Sequence, residues 1–190
     1  MSLVEEAAHF AVDAHAGMTR KGDSSPYFLH PFEVASIAAT MTDDEEVLCA
    51  ALLHDVVEDT PVTIEEVRER FGDRVAQLVL SETEDKRMHL PSEVTWRIRK
   101  EESLKGLKES TDLGVKVLWL ADKLANMRSF VRLKAKRGKA LWDSFNQKDP
   151  AQQEWYYNEV ASLTDELSDT PAWREYNTLT LLVFKEGDST

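Results

Sequence analysis

The chain has one cysteine, Cys49, in 190 residues. That excludes a disulfide framework and a thiolate-ligated zinc site. Glycine and proline are sparse, at 7 and 6 residues. No internal repeat, low-complexity tract or linker interrupts the sequence, so one domain over residues 1–190 is expected. No apolar run approaches the roughly 18 residues needed to span a bilayer. The opening Met-Ser-Leu-Val-Glu-Glu lacks the basic and apolar regions of a secretory signal. A cytoplasmic protein with no membrane partner is the expectation. Convincing alternation of apolar and polar residues is also missing, with a short β-hairpin open only within 83–95. The fold class expected is therefore all-α, a multi-helix globule.

Positive charge is scarce. Lysine and arginine total 23 against 35 aspartates and glutamates, a net charge of −12. Such a surface repels a phosphate backbone and argues against nucleic acid as a partner. The charge is not evenly spread. Residues 1–60 hold 12 acids and only two bases, the adjacent Arg20 and Lys21, whereas residues 111–140 hold 8 bases and 2 acids. Positive charge for any site is thus expected from Arg20, Lys21 and the 111–140 segment.

What is abundant is helical signal. Ser2-x-x-Glu5, Thr42-x-x-Glu45 and Thr63-x-x-Glu66 have the capping-box pattern. Asp149-Pro150 and Thr170-Pro171 place a capping residue before a first-turn proline. Apolar residues follow at helical spacing, as in Val47, Leu48, Ala51, Leu52 and Val56, and in Val117, Leu118, Ala121, Leu124 and Ala125. These patterns predict helices near 2–16, 31–41, 44–58, 63–70, 73–82, 95–109, 112–131, 151–167 and 172–184.

Chemistry concentrates where polar residues interrupt apolar helices. In Ala50-Ala51-Leu52-Leu53-His54-Asp55-Val56-Val57-Glu58-Asp59-Thr60 the adjacent His54 and Asp55 lie about 100° apart on a helix and reach one ion between them. Glu58 and Asp59 repeat the polar pair one turn later. A solvated helix end explains this segment equally well when it is taken alone. Asp122 lies in an apolar helix with Asn126 and Ser129 on its stripe, and His30 is presented in Pro26-Tyr27-Phe28-Leu29-His30-Pro31. Two histidines and two aspartates make a plausible first shell for a divalent transition metal with positions left for water. Such an ion lowers the pKa of bound water.

With these blocks in order, the sequence resembles the HD superfamily of metal-dependent phosphohydrolases. It is closest in pattern to the RelA/SpoT-type (p)ppGpp hydrolase domain in its small stand-alone, metazoan SpoT homologue-like form. The matching blocks are Ala14-His15-x-Gly17 with Arg20-Lys21-Gly22, the 26–31 and 50–60 segments, Phe71-Gly72, and Leu120-Ala121-Asp122-Lys123-Leu124-x-Asn126-Met127. They span about residues 5–130, with helices at about 150–185 expected to cover that part. The resemblance implies one divalent ion, most usually Mn²⁺, held by His30, His54, Asp55 and Asp122. It implies that Glu58 and Asp59 orient or deprotonate the attacking water. Arg20 and Lys21 would contact the nucleotide, Asn126 the ribose or 3′ end, and Ser129 the guanine. The implied reaction is hydrolysis of the 3′-pyrophosphate of ppGpp or pppGpp to GDP or GTP and pyrophosphate, with a guanine nucleotide as partner. The oligomeric state is left open.

The chain departs from the family at several points. Met18 stands where glutamine is frequent, Ser129 where threonine is usual, and Thr83–Met88 carries acids where the pattern is basic. These departures keep two alternatives in view: an HD-type enzyme acting on another nucleotide (a deoxynucleotide or NADPH), or a nucleotide-sensing module without turnover. His15 reads as structural, and His9 and His89 as ordinary surface or core residues. At least two of Trp155, Tyr156 and Tyr157 read as core.

Overall fold

The computed structural model describes residues 1–20, 24–87 and 89–185. In chain order its helices are α1 (Leu3–Ala14), α2 (Leu29–Ala38), α3 (Glu45–Leu53), α4 (Val56–Asp59), α5 (Ile64–Phe71), α6 (Asp73–Glu82), α7 (Ser92–Glu109), α8 (Leu113–Arg137), α9 (Pro150–Leu163) and α10 (Pro171–Phe184). Two 3₁₀ turns, Gly138–Ser144 and Asp165–Leu167, complete it. Among the described residues there is no strand, only an isolated antiparallel bridge between Thr19 and Pro26. No described helix is long and apolar enough to cross a membrane.

Helix α8 is the axis. It is buried all round from Val117 to Ala125, and Val117, Leu118, Trp119, Leu120, Ala121, Leu124 and, further on, Met127 supply its apolar contacts. A helix of that kind must be enclosed by others. Helices α2 and α3 pack on it from one side and α9 and α10 from another, while α6 joins it to α3. The buried core of α3 includes Val47, Ala50, Ala51 and Leu53.

Most start signals act as the sequence predicts. Ser2 and Glu5 form a complete capping box, and Thr63 accepts from the Glu66 N–H. Asp149 and Thr170 cap α9 and α10 ahead of their prolines. The Thr42 box does not form. Asp44 caps α3 by accepting from the Glu46 N–H at 3.0 Å, and the Thr42 hydroxyl accepts from the Asp44 N–H instead. Asp44 wins because its carboxylate also accepts from Arg74 of α6 at 2.7 Å.

Three other expectations are corrected. The predicted helix over 44–58 is broken at His54-Asp55, between α3 and α4. The His54 ring bonds through Nδ1 to the Ala51 carbonyl at 2.9 Å. In a continuous helix that carbonyl would receive the Asp55 N–H. The hairpin left open within 83–95 is absent from its described residues. Irregular chain runs from Thr83, with Arg87 at φ 46°, and α7 already begins at Ser92. Finally, α8 extends to Arg137 rather than 131 and ends at Gly138 with φ 56°, a left-handed conformation that favours glycine. Lys134 in its last turn donates to the Leu182, Val183 and Lys185 carbonyls at the end of α10.

Candidate metal-centred active site

Three segments bring polar donors to one point on the flank of α8. His30 enters from the first turn of α2, His54 from the break after α3, and Asp122 from mid-α8. Donor atoms of these three buried residues all lie within 4.8 Å of one another. His30 Nε2 is 2.9 Å from Asp122 Oδ1, and His54 Nε2 is 3.6 Å from the same oxygen. Asp55 closes the group, its Oδ2 lying 3.1 Å from His54 Nε2 and 3.7 Å from His30 Nε2.

The ring orientation of His54 fits a metal. With Nδ1 engaged by a backbone carbonyl, the Nε2 atom points at the cluster, and it is buried with no hydrogen-bond partner of its own. A histidine pinned this way presents a lone pair to an ion. The four side chains also shift one another's protonation. Burial alone would lower His54, but Asp55 and Asp122 outweigh it and hold the imidazole well above its ordinary value. Burial would raise Asp55, and the neighbouring His54 overrides that to keep it low. For His30 burial wins over the bond to Asp122, and the ring sits below the usual histidine value. A divalent cation would take over the neutralising role of those protons.

The cluster lies on the wall of a cavity of about 530 Å³. Glu58 and Asp59 of α4 line it beside Asp55. Glu58 accepts from the Glu84 N–H at 3.1 Å, and burial, reinforced by Asp55, raises its carboxyl above the ordinary value. Lys86 bonds to the Glu58 carbonyl at 2.8 Å and to the Asp59 carboxylate. Across the cavity, Arg20 donates to Asn126 Oδ1 at 3.0 Å, and Asn126 donates to Asp122 Oδ1 at 2.9 Å. Ser129 lines the same cavity and also an adjoining hollow with Arg20, Glu33 and Arg132. The structure therefore gathers Arg20, His30, Asp55, Glu58, Asp59, Asp122, Asn126 and Ser129 around one space, with His54 behind them. Lys21 lies outside the described residues.

The source of positive charge differs from the sequence expectation. The bases of 111–140 are largely consumed elsewhere: Lys116 pairs with Glu166, Arg128 with Glu175 and Glu33, and Lys134 caps α10. Of the 111–140 bases only Lys123 lines the main cavity, and Arg132 the adjoining hollow. Lys86, Arg99 and Lys100 also line the main cavity, Lys86 paired with Asp59 and the other two with Glu84. Among the acids of the 83–88 loop, Glu84 is neutralised by Arg99 at 2.6 Å and Lys100 at 2.7 Å. Composition by segment could not show this, because it ignores which acid each base meets.

Sequence reasoning missed further residues. Tyr27 donates its hydroxyl toward Asp55 at 2.7 Å and Asp59 at 2.8 Å. Its ring is stacked on His15 at 4.8 Å, which gives His15 the structural place expected for it. Lys123 and Glu82 form a buried pair beside Asp122. The signal for Glu82 was one acid ending an apolar helix face. Tyr156 and Tyr157 are buried, as expected of two of the three aromatics, and both also line the cavity. Trp155 is partly buried, with the Arg97 guanidinium 3.3 Å from its ring centre. His9 and His89 are exposed.

Comparison with known proteins defines the class. The sequence matches the family described as HD domain over residues 7–149, and the chain belongs to that family. It is similar to the guanosine-3′,5′-bis(diphosphate) 3′-pyrophosphohydrolase of Aquifex aeolicus, 39% identical over 126 residues, which cover 66% of this chain and 17% of that protein. It is also similar to the bifunctional (p)ppGpp synthase/hydrolase SpoT of Escherichia coli K12, 38% identical over 137 residues, covering 69% and 18%. The chain thus spans less than a fifth of the length of these relatives. Among solved structures it resembles a metazoan SpoT ortholog described as hydrolysing ppGpp, with a TM-score of 0.73, 28% identity and 94% of both chains covered. A Listeria monocytogenes protein aligns with a TM-score of 0.71 and 34% identity, over 86% of this chain and all of that one.

Proposed function

We propose that this chain, read as one HD-type domain, hydrolyses the 3′-pyrophosphate of (p)ppGpp with one bound divalent ion, Mn²⁺ as the metal of choice. The observation that carries the reading is the convergence of His30, His54 and Asp122 within 4.8 Å, completed by Asp55, on the wall of a cavity that Arg20, Lys86, Arg99, Lys100 and Lys123 also line. The relatives named for (p)ppGpp hydrolysis support the substrate.

His30, His54, Asp55 and Asp122 would hold the ion. When bound, it supplies Lewis acidity and a water of lowered pKa. Glu58, with its carboxylate on the cavity wall, accepts the proton as water adds to phosphorus. Asp59, held by Tyr27 and Lys86, orients that water. The bond that breaks joins that phosphorus to the 3′ oxygen, which leaves with the bonding electrons and takes up the proton that Glu58 accepted, so GDP or GTP with a free 3′-hydroxyl and pyrophosphate are released. Lys86, Arg99 and Lys100 face the phosphates, and their charge offsets what builds up during transfer. Arg20, Asn126 and Ser129, with Lys21 adjoining in sequence, hold the nucleoside end.

The test is pyrophosphate release from ppGpp by metal-stripped protein resupplied with Mn²⁺, Mg²⁺ or Zn²⁺, beside a panel with a deoxynucleotide triphosphate and NADPH. Release from ppGpp that needs the ion and disappears in Asp55→Ala supports the reading. Turnover of another panel member alone would replace the substrate. Tight ppGpp binding without turnover would make the protein a sensor.

A further inference from the structure

We infer that the buried Lys123–Glu82 pair is a positioning device for Asp122, fixing which carboxylate oxygen faces the metal cluster. This rests on the reading of Asp122 as a metal ligand. The two oxygens of Asp122 have different partners. Oδ1 is 2.9 Å from His30 Nε2, 3.6 Å from His54 Nε2, and accepts from Asn126 at 2.9 Å. Oδ2 is taken by the Lys123 ammonium. The lysine thereby turns one oxygen to the cluster and withholds the other, a geometry that favours one-oxygen coordination.

Neighbouring residues on a helix point about 100° apart, so Lys123 must fold back to reach the carboxylate beside it. Its place is set from outside α8. Glu82, the last residue of α6, accepts from the same ammonium at 2.9 Å, and the Trp119 ring lies 4.6 Å from it. Asp122, Lys123 and Glu82 are only 5%, 8% and 9% exposed. Water therefore competes little for these bonds, and a carboxylate held this way keeps one rotamer. A plain staple between α6 and α8 would use the same bonds but would not alter metal affinity.

The experiment is calorimetric titration of Mn²⁺ into metal-stripped full-length protein, with folding followed by circular dichroism. The variants are Lys123→Met and the double variant Lys123→Met/Glu82→Leu, which also removes the buried Glu82 carboxylate that the single variant leaves without its ammonium. Expected is a folded variant whose Mn²⁺ dissociation constant is about 10- to 100-fold weaker than wild type, the usual effect of removing a partner that orients a ligand. Unchanged affinity in a folded variant overturns the inference and leaves the metal site standing. Failure of both variants to fold also overturns it, in favour of a structural pair. If the wild type itself takes up no ion, the parent reading of the site fails with it.

Discussion

The Tyr27 hydroxyl lies 2.7 Å from Asp55 Oδ2, and at 2.8 Å it meets Asp59 Oδ2 as well. One phenol thus joins a proposed metal ligand to a carboxylate proposed to orient water. Burial, with the two adjacent carboxylates, pushes the phenol far above its usual pKa, so it remains a donor at any physiological pH. The ring is fixed independently of the hydroxyl, by its stack on His15, whose Nδ1 is anchored to the Ala11 carbonyl at 2.9 Å.

Tyr27→Phe should therefore keep the fold and impair the reaction. Its ring still stacks on His15, while Asp55 and Asp59 lose the bridge that holds them together. A fall in kcat of about 10- to 100-fold is expected, in line with removal of a residue that orients catalytic carboxylates. The melting temperature should change less than in Tyr27→Ala, which also loses the ring. Steady-state kinetics beside thermal melts read both. An unaltered kcat in the phenylalanine variant would remove Tyr27 from the machinery.

Ligand and base should separate by measurement. His54→Ala or Asp122→Asn is expected to abolish stoichiometric Mn²⁺ uptake in calorimetry, and activity with it. Glu58→Gln should bind Mn²⁺ with nearly wild-type affinity, because Glu58 lies outside the four-residue cluster, yet lower kcat by about 10²- to 10⁴-fold. Loss of metal in the Glu58 variant would make it a ligand instead. Exposure of the wild type to a chelator should reproduce the ligand variants, and Mn²⁺ should restore it.

The pH profile follows from Glu58. Burial raises its carboxyl first and Asp55 adds to that, whereas the Glu84 N–H and Lys86 pull it down. As a base it works only when ionised, so activity falls on the acid side as the proton returns. The acid limb of kcat is expected above the ordinary glutamate value of 4.5. Lys86→Met removes one of the lowering charges, so the limb should move to still higher pH. A limb that stays in place would show that Glu58 does not govern it.

Much of this was legible in the sequence. Of the residues proposed to hold the metal, His54, Asp55 and Asp122 announced themselves because charged side chains interrupt apolar helical runs at 54–55 and 122, and capping residues with first-turn prolines marked α9 and α10. The break after Leu53 was not legible, since it depends on the His54 ring taking a carbonyl that periodicity assigns to the backbone. The positive charge expected from 111–140 was misplaced for a related reason. Arg128 belongs to that segment, but Glu175 from α10 engages it at 2.7 and 2.8 Å. Tyr27 stood inside a recognised block with no role, because its partners Asp55 and Asp59 lie about thirty residues on and only the fold brings them together.

A final prediction concerns stability away from the site. Asp44 caps α3 and binds Arg74, which also meets Glu46 at 2.9 Å and Asp112 at 3.4 Å. Slight burial would raise the Asp44 carboxyl, but the Arg74 guanidinium and the Glu46 N–H outweigh it and hold it below the ordinary 3.8. A carboxyl that is lower in the folded state stabilises the fold above its unfolded value and loses that contribution as pH falls through its folded one. Asp44→Ala should cost about 1 kcal/mol at pH 7, chiefly as a lost cap, since these half-exposed ion pairs are screened by water. The difference from wild type should shrink below about pH 4, where the unfolded carboxyl binds its proton. Denaturant melts of the two proteins at pH 7 and pH 3.5 decide it. A gap that widens on acidification would mean that Asp44 is not the ionised cap of α3, and Thr42, already within reach of the Asp44 N–H at 3.1 Å, would be the next residue to test.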